Sequence, residues 1–208
     1  MGTILLTEEQ IRESAEAHGV DYPALRAVCQ VESGGMGYLD DGRIKILFER
    51  HVMWDRLKER RIDPSILGKD RPDLCGPKWE PKKYPYGTSK NQYLRIAAIV
   101  VWAAKHDQAH WESYKKAAYE ASSWGMFQQM GYHFQGLGFA NIYEFKHFLE
   151  ASEQNQLDTI LRWMVPNGLM RHLQRHEWEQ FVTGYNGKGR VEAYTKKLVA
   201  AYKQFGGK

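Results

Sequence analysis

Apolar positions recur at helical spacing over most of the chain, and the polar residues between them mark where each helix starts and stops. Thr7 and Gln10 stand at capping-box spacing and Gly19 is a natural stop, which predicts a helix over 8–18. Asp21-Tyr22-Pro23 opens a second helix with proline in its permitted first turn, and Ser33-Gly34-Gly35 closes it. Its apolar stripe runs Leu25, Val28, Cys29, and the next position on that face is Glu32. Residues 44–49 read as a short strand or an extended piece, and residues 50–60 as a helix with Val52, Met53 and Leu57 inward. Five prolines between Pro64 and Pro85 exclude a long helix there, leaving either an ordered loop packed on the body or a flap over a cleft. From Asn91 the helical pattern resumes with Leu94, Ala97, Ala98, Val101 and Trp102 on its apolar face, and it runs with a break near Asp107 to Ala121. Further helices are predicted at 142–151, 154–165 and 177–183. A last one from Arg190 carries Val191, Tyr194, Leu198, Ala201 and Phe205 on one stripe. The fold class is mainly α: one body over residues 1–208, with an irregular Pro-rich insert at 62–90 and at most a short strand pair.

Composition narrows the picture modestly. A chain of 208 residues, 43% of them hydrophobic, is long enough for one good-sized core or two small lobes. Seven Trp are more than such a core obviously needs, so some either fill it or line a groove that stacks on flat ligands. The net charge of +4 arises from interleaved basic and acidic residues, without the dense basic block that nucleic-acid binding needs. Cys29 and Cys75 do not make a disulfide framework, which suits a reducing compartment. The N-terminal residues lack a signal-peptide core and no stretch is long enough to cross a bilayer. The expectation is therefore synthesis in a cytosol, with no stable membrane insertion.

Glu32 is the most informative residue. It follows Leu25, Val28 and Cys29 on the core-facing stripe, and it lies at the negative end of a helix. Burial and that dipole both disfavour a carboxylate, and an acid still protonated near neutral pH is what glycosidic cleavage requires. Ser33, Gly34 and Gly35 keep bulk away, so a polymer can approach. The plainer alternative is a Glu that pairs with a nearby Arg.

Two further segments bear on that choice. Ala121-Ser122-Ser123-Trp124-Gly125-Met126-Phe127-Gln128-Gln129-Met130 sets small, aromatic and amide residues on an expected tight turn into a helix, and Tyr185-Asn186-Gly187-Lys188-Gly189 reads as a turn. With Val31-Glu32-Ser33-Gly34-Gly35, these resemble, in the same order, three signatures of goose-type lysozymes and soluble lytic transglycosylases. Ile46-Leu47-Phe48-Glu49-Arg50-His51 and Gly184-Tyr185-Asn186-Gly187 bring the chain closer still to the N-acetylmuramidase family of phage endolysins, a resemblance that spans about residues 7–205. It implies a lysozyme-like helical fold and a monomeric muramidase that cuts peptidoglycan glycan strands. Such an enzyme is made in a host cytoplasm and reaches the wall through a membrane lesion opened by another protein. It also implies that Glu32 is the acid, that Ser123, Trp124, Gln128, Gln129 and Met130 line the glycan groove, and that Tyr185 and Asn186 hold an acetamido sugar. No cofactor is implied, because acid catalysis on a glycoside needs none.

The pattern also departs from those relatives. About ninety residues separate Glu32 from Ser123, far more than in ordinary lytic transglycosylases, and Trp124 stands where that group has something smaller. Glu49, after an apolar strand-like run, is the candidate second carboxylate, able to activate water or simply to pair with Arg50. Should it not act, the substrate's acetamido group can be the nucleophile, leading to hydrolysis or to an anhydro-sugar. His106 and His110, like His172 and His176, have zinc-binding spacing but no evident third ligand, so solvated helix faces are the expectation and no metal is implied. A lytic transglycosylase and a non-catalytic cell-wall binding module are the competing classes.

Overall fold

The computed structural model describes residues 5–33, 36–85 and 87–208, with the side chains of Glu32, Ser33 and Ser89 outside the description. Its contacts divide the chain into two units, one comprising residues up to 38, 125–127 and 148–208, the other residues 39–124 and 128–147.

Unit 1 grows from helix signals that the sequence displays openly. Helix α1 (Glu8–Ala17) begins with a reciprocal capping box, Gln10 N–H donating to Thr7 Oγ1 and Thr7 N–H to Gln10 Oε1. Helix α2 (Tyr22–Ser33) starts where Asp21 accepts the Ala24 N–H, and it buries Ala24, Leu25, Ala27, Val28 and Cys29. Around them pack Leu157, Ile160, Leu161 and Met164 of α8 (Glu153–Met164), and Leu169, Met170 and Leu173 of α9 (Leu169–Gln174). Phe181 and Val182 of α10 (Trp178–Asn186), and Leu198, Ala201 and Tyr202 of α11 (Val191–Gln204), complete the ring. Met126 and Phe127 belong to the same cluster. Each fully buried aliphatic side chain contributes about 1.5–3 kcal/mol. Helix α9 was not expected; at six residues, begun by Gly168 at φ 70°, it is too short to show a period.

Unit 2 holds β1 (Ile46–Phe48), α3 (Arg50–Glu59), α4 (Pro64–Asp70), α5 (Ser89–His106), α6 (Trp111–Glu120), β2 (Ser122–Trp124), β3 (Gln129–Met130) and the opening turns of α7 (Ile142–Ala151). The strands form one antiparallel sheet in the order β1-β2-β3, with Leu47 opposite Ser123 and Ser123 opposite Met130. This corrects two expectations. The sheet has three strands rather than at most two, and residues 122–130 make a hairpin rather than a turn into a helix. Gly125 at φ 72° and Gln128 at φ 50° supply the left-handed residues that reverse the chain.

The Pro-rich insert is an ordered segment organised by one arginine. Arg50, buried, donates from Nε to Pro72 O (2.9 Å) and from Nη1 to Lys78 O (2.7 Å) and Glu80 (3.1 Å), and its guanidinium lies 4.2 Å over the Tyr84 ring. A Cβ at Gly76 would stand 1.6 Å from Arg50 Nη2, so any side chain there would displace the guanidinium. Asp63 caps the short α4 through the Ser65 N–H, with Pro64 in its first turn.

Helix α5 turns a different face inward from the one expected. Leu94 and Val101 are 66% and 68% exposed and Ala97 is exposed too, while Gln92, Ile96, Ile99, Trp102 and Ala103 are buried. The helix is apolar nearly all round from 96 to 102, so its period leaves two faces open. Polar anchors decide between them: Gln92 accepts the Phe48 N–H, Arg95 donates to Asp73 O and the Trp102 indole donates to Asp70.

Candidate active site

In unit 1, position 32 occupies the last turn of α2, after the buried positions 25, 28 and 29. The Glu32 side chain lies outside the described residues. So do the expectations of a shielded, hard-to-ionise carboxyl and of an open Ser33-Gly34-Gly35 approach. Beyond the helix, Gly37 and Tyr38 are each fastened by a hydrogen bond. Gly37 N–H donates to Glu153 Oε1 at 2.6 Å, and Tyr38 Oη donates to Glu150 O at 3.2 Å. Glu153 Oε2 also accepts the Leu6 N–H at 2.9 Å. One turn along α8, Gln156 accepts the Met126 N–H at 2.7 Å and donates to Leu149 O at 3.1 Å. Burial, with the nearby Glu153 charge, pushes the Tyr38 phenol up.

Tyr185 and Asn186 end α10, where Gly187 at φ 75° turns the chain. The Tyr185 ring is half-buried, stacked on Phe181 at 5.6 Å and edge-on to Trp163 at 5.9 Å; Asn186 is exposed. Tyr185 thus has a fixed ring orientation and the residue after it is open to solvent.

In unit 2 the sheet sorts the expected residues by its alternation of faces. Leu47, Ser123 and Met130 stand abreast on one face, and Leu47 and Met130 are only half-buried. Ile46, Trp124 and Gln129 stand abreast on the other face, all buried. Glu49 continues β1 in an extended conformation, φ −110° and ψ 107°, so it falls on the face of Leu47 and Ser123. Its backbone N–H donates to Ala121 O at 2.9 Å, its carboxylate lies 3.4 Å from His51 Nδ1, and it makes no cap bond to α3. Arg50, the partner suggested by sequence, is engaged with the insert instead. Ser123 Oγ donates to Gln128 Oε1 at 2.8 Å, fixing the exposed Gln128 across the hairpin.

Trp124 departs from its expected place in the groove. It is 1% exposed, its indole N–H donates to Tyr119 O at 3.0 Å, and its ring meets Tyr119 edge-on. Its flat face is used up inside unit 2, and with Gln129 it supports the hairpin from the core side. The alternation of faces follows from pairing 122–124 with 129–130, which was invisible once the segment was taken for a helix start.

The histidine pairs have other partners. His106 stacks on Trp102 at 5.1 Å, His110 Nδ1 lies 2.7 Å from Asp107, and His172 and His176 face Glu177 and Asp21. Among the described residues no three His, Cys, Asp or Glu side chains group to hold a metal, and no helix is long and apolar enough to cross a membrane. Sequence reasoning missed Glu153 and Gln156. A Glu in the first turn of a helix capped by Ser152 looks like an ordinary dipole partner.

Comparison with known proteins adds two findings. A family profile described as N-acetylmuramidase matches residues 21–206. Among solved structures, the crystal structure of the endolysin of Burkholderia phage AP3 is similar, with 32% sequence identity and a TM-score of 0.81 over 96% of this chain and 71% of that one. No curated protein sequence matches the chain.

Proposed function

The chain belongs to the N-acetylmuramidase family, and from that premise we propose that Glu32 donates the proton to the glycosidic oxygen while Glu49 activates the attacking water. The activity is that of a glycoside hydrolase cleaving peptidoglycan, as in an endolysin. The scissile bond joins N-acetylmuramic acid to N-acetylglucosamine. Ser123, Gln128, Met130, Tyr185 and Asn186 bind the glycan, with amides meeting acetamido groups and hydroxyls, and the Tyr185 ring meeting a pyranose. Host lysis from the cytoplasmic side, by a monomer released through a membrane lesion, is the biological setting of this reading.

The observation that carries the residue assignment is the row of side chains on one face of the sheet. One row brings Glu49 into line with Ser123 and Met130, and the Ser123 hydroxyl fixes Gln128 beside them. A half-buried carboxylate aligned with hydrogen-bonding side chains, one of which holds the exposed Gln128, suits substrate, not packing.

The test is product analysis on purified sacculi with wild type, Glu32→Gln and Glu49→Gln. Both variants are expected to keep sedimenting with cell walls and to lose about 100-fold or more in turnover. New reducing ends support the hydrolytic assignment. Anhydro-ended muropeptides would remove the water-activating role from Glu49, and full activity of Glu32→Gln would remove the acid.

A further inference from the structure

Helix α8 begins Ser152-Glu153-Gln154-Asn155-Gln156. Ser152 Oγ caps it by accepting the Asn155 N–H, and the Glu153 and Gln156 side chains are each only 2% exposed. Neither bonds to its own helix. Glu153 spends one oxygen on Gly37 N–H and the other on Leu6 N–H, segments 116 and 147 residues away. Gln156 accepts the Met126 N–H, donates to Leu149 O and is also hydrogen-bonded to Tyr38. A Cβ at Gly37 would stand 2.0 Å from Gln156 Oε1 and one at Gly125 2.6 Å from it, so both glycines are shaped around this one amide.

Burying a carboxylate carries a large desolvation cost, which its bonds to the two N–H groups must offset. What a carboxylate shared between two backbone amides supplies is a defined distance and direction for each strand of chain it holds. The strands held are informative. Gly37 lies five residues beyond Glu32, and Met126 lies in the turn that joins Ser123 to Gln128.

We propose that Glu153 and Gln156 are positioning residues for the glycosidase reaction, one turn of α8 fixing both the chain that leaves the Glu32 helix and the turn that carries the glycan-binding hairpin. The proposal rests on the assignment of Glu32 as the acid. Neither side chain touches substrate; each acts through backbone.

An amide at position 153 can accept only one of the two N–H groups, so Glu153→Gln releases either Gly37 or Leu6. Gln156→Glu can still accept from Met126 but cannot donate to Leu149. Displacement of a catalytic group by about 1 Å costs on the order of 100-fold. The expectation for both variants is therefore a 10- to 100-fold fall in kcat on soluble glycan fragments, at a temperature well below each variant's Tm, with KM within about twofold. The alkaline limb of the kcat/KM pH profile, which reports the acid, should also move. Leu6→Pro, which removes only the other N–H, should lower Tm and leave kcat and the limb in place. If Glu153→Gln fails to fold, Gly37→Ala serves instead, because its methyl presses on the Gln156 amide without altering Glu153.

Full kcat and an unmoved limb in Gly37→Ala, or in a folded Glu153→Gln whose Gly37 amide has lost its hydrogen-exchange protection, overturn the proposal. Glu32→Gln is run in parallel. If it is inactive while the position-153 variant is fully active, the positioning role fails alone; if Glu32→Gln is itself active, the acid assignment fails first.

Discussion

In unit 1, Leu25, Val28 and Cys29 of α2 share one cluster with aliphatic and aromatic side chains from five other helices. In unit 2, an apolar core of Phe48, Met53, Leu57, Ile99, Tyr114, Trp124 and Phe145 is joined by polar side chains bonded to main chain, Arg50 to Pro72 and Lys78, Gln92 to Phe48 and Arg95 to Asp73, and by a buried Glu120 paired with Arg60. Apolar burial is non-directional and tolerates small shifts. Hydrogen bonds to named carbonyls are directional, and each leaves an unsatisfied group behind when broken. The contrast teaches that an irregular segment such as 62–85 can be held by a few apolar anchors, Ile62, Leu67 and Leu74, when one buried cation also answers several carbonyls.

Substitutions that attack each kind of support test the contrast. The largest stability effect is expected for Leu25→Ala in unit 1, about 3 kcal/mol by chemical denaturation, because a fully buried leucine leaves a cavity that its neighbours cannot fill. Arg50→Met is expected to cost about 2 kcal/mol, chiefly from orphaned carbonyls. Its signature should be local, with proteolysis appearing in residues 72–84; equal loss of protection at Leu25 would erase the distinction drawn here. Leu94→Ser and Val101→Ser should each fall within about 0.5 kcal/mol of wild type, since both side chains are exposed. A cost above about 2 kcal/mol would restore the face of α5 that the periodicity suggested.

The smallest effect concerns His133. Burial and the Arg56 charge hold its pKa below the ordinary 6.5, so the folded chain keeps it neutral where the unfolded chain protonates it. The stability this provides is complete above about pH 6.5 and is lost as pH falls through the folded value. His133→Gln should flatten the stability slope in that acidic window, as read by thermal melts across pH.

The same contrast explains how much was legible in the sequence. Helices α1, α2, α7 and α8 could be placed to within a residue or so, because caps, glycine stops and a single apolar stripe all agree there. Helix α5 was found but turned wrongly, because Leu94, Ile96, Ile99 and Val101 satisfy the period on more than one side. Nothing local announces which side Gln92 and Trp102 will anchor. The mainly α class and the family were within reach because motif order survives without any knowledge of packing. Within the candidate site, Glu32 stood out by its stripe, and Glu49 by the apolar run before it. The core position of Trp124 depends on a hairpin register, and the clamp at Glu153 and Gln156 depends on backbone amides more than a hundred residues away in the case of Glu153. Side-chain-to-backbone bonds of that span leave no periodic trace.

The two cysteines end up reporting on this division. Cys29 is buried in unit 1 and Cys75 in unit 2, with thiols pushed up to about 12 by burial. A group that protonated and that enclosed does not react with alkylating or disulfide-exchange reagents until the surrounding structure opens. The chain thus carries one intrinsic labelling site in each unit, and the rates at which the two are modified give separate opening free energies for the surroundings of each, with no engineered probe.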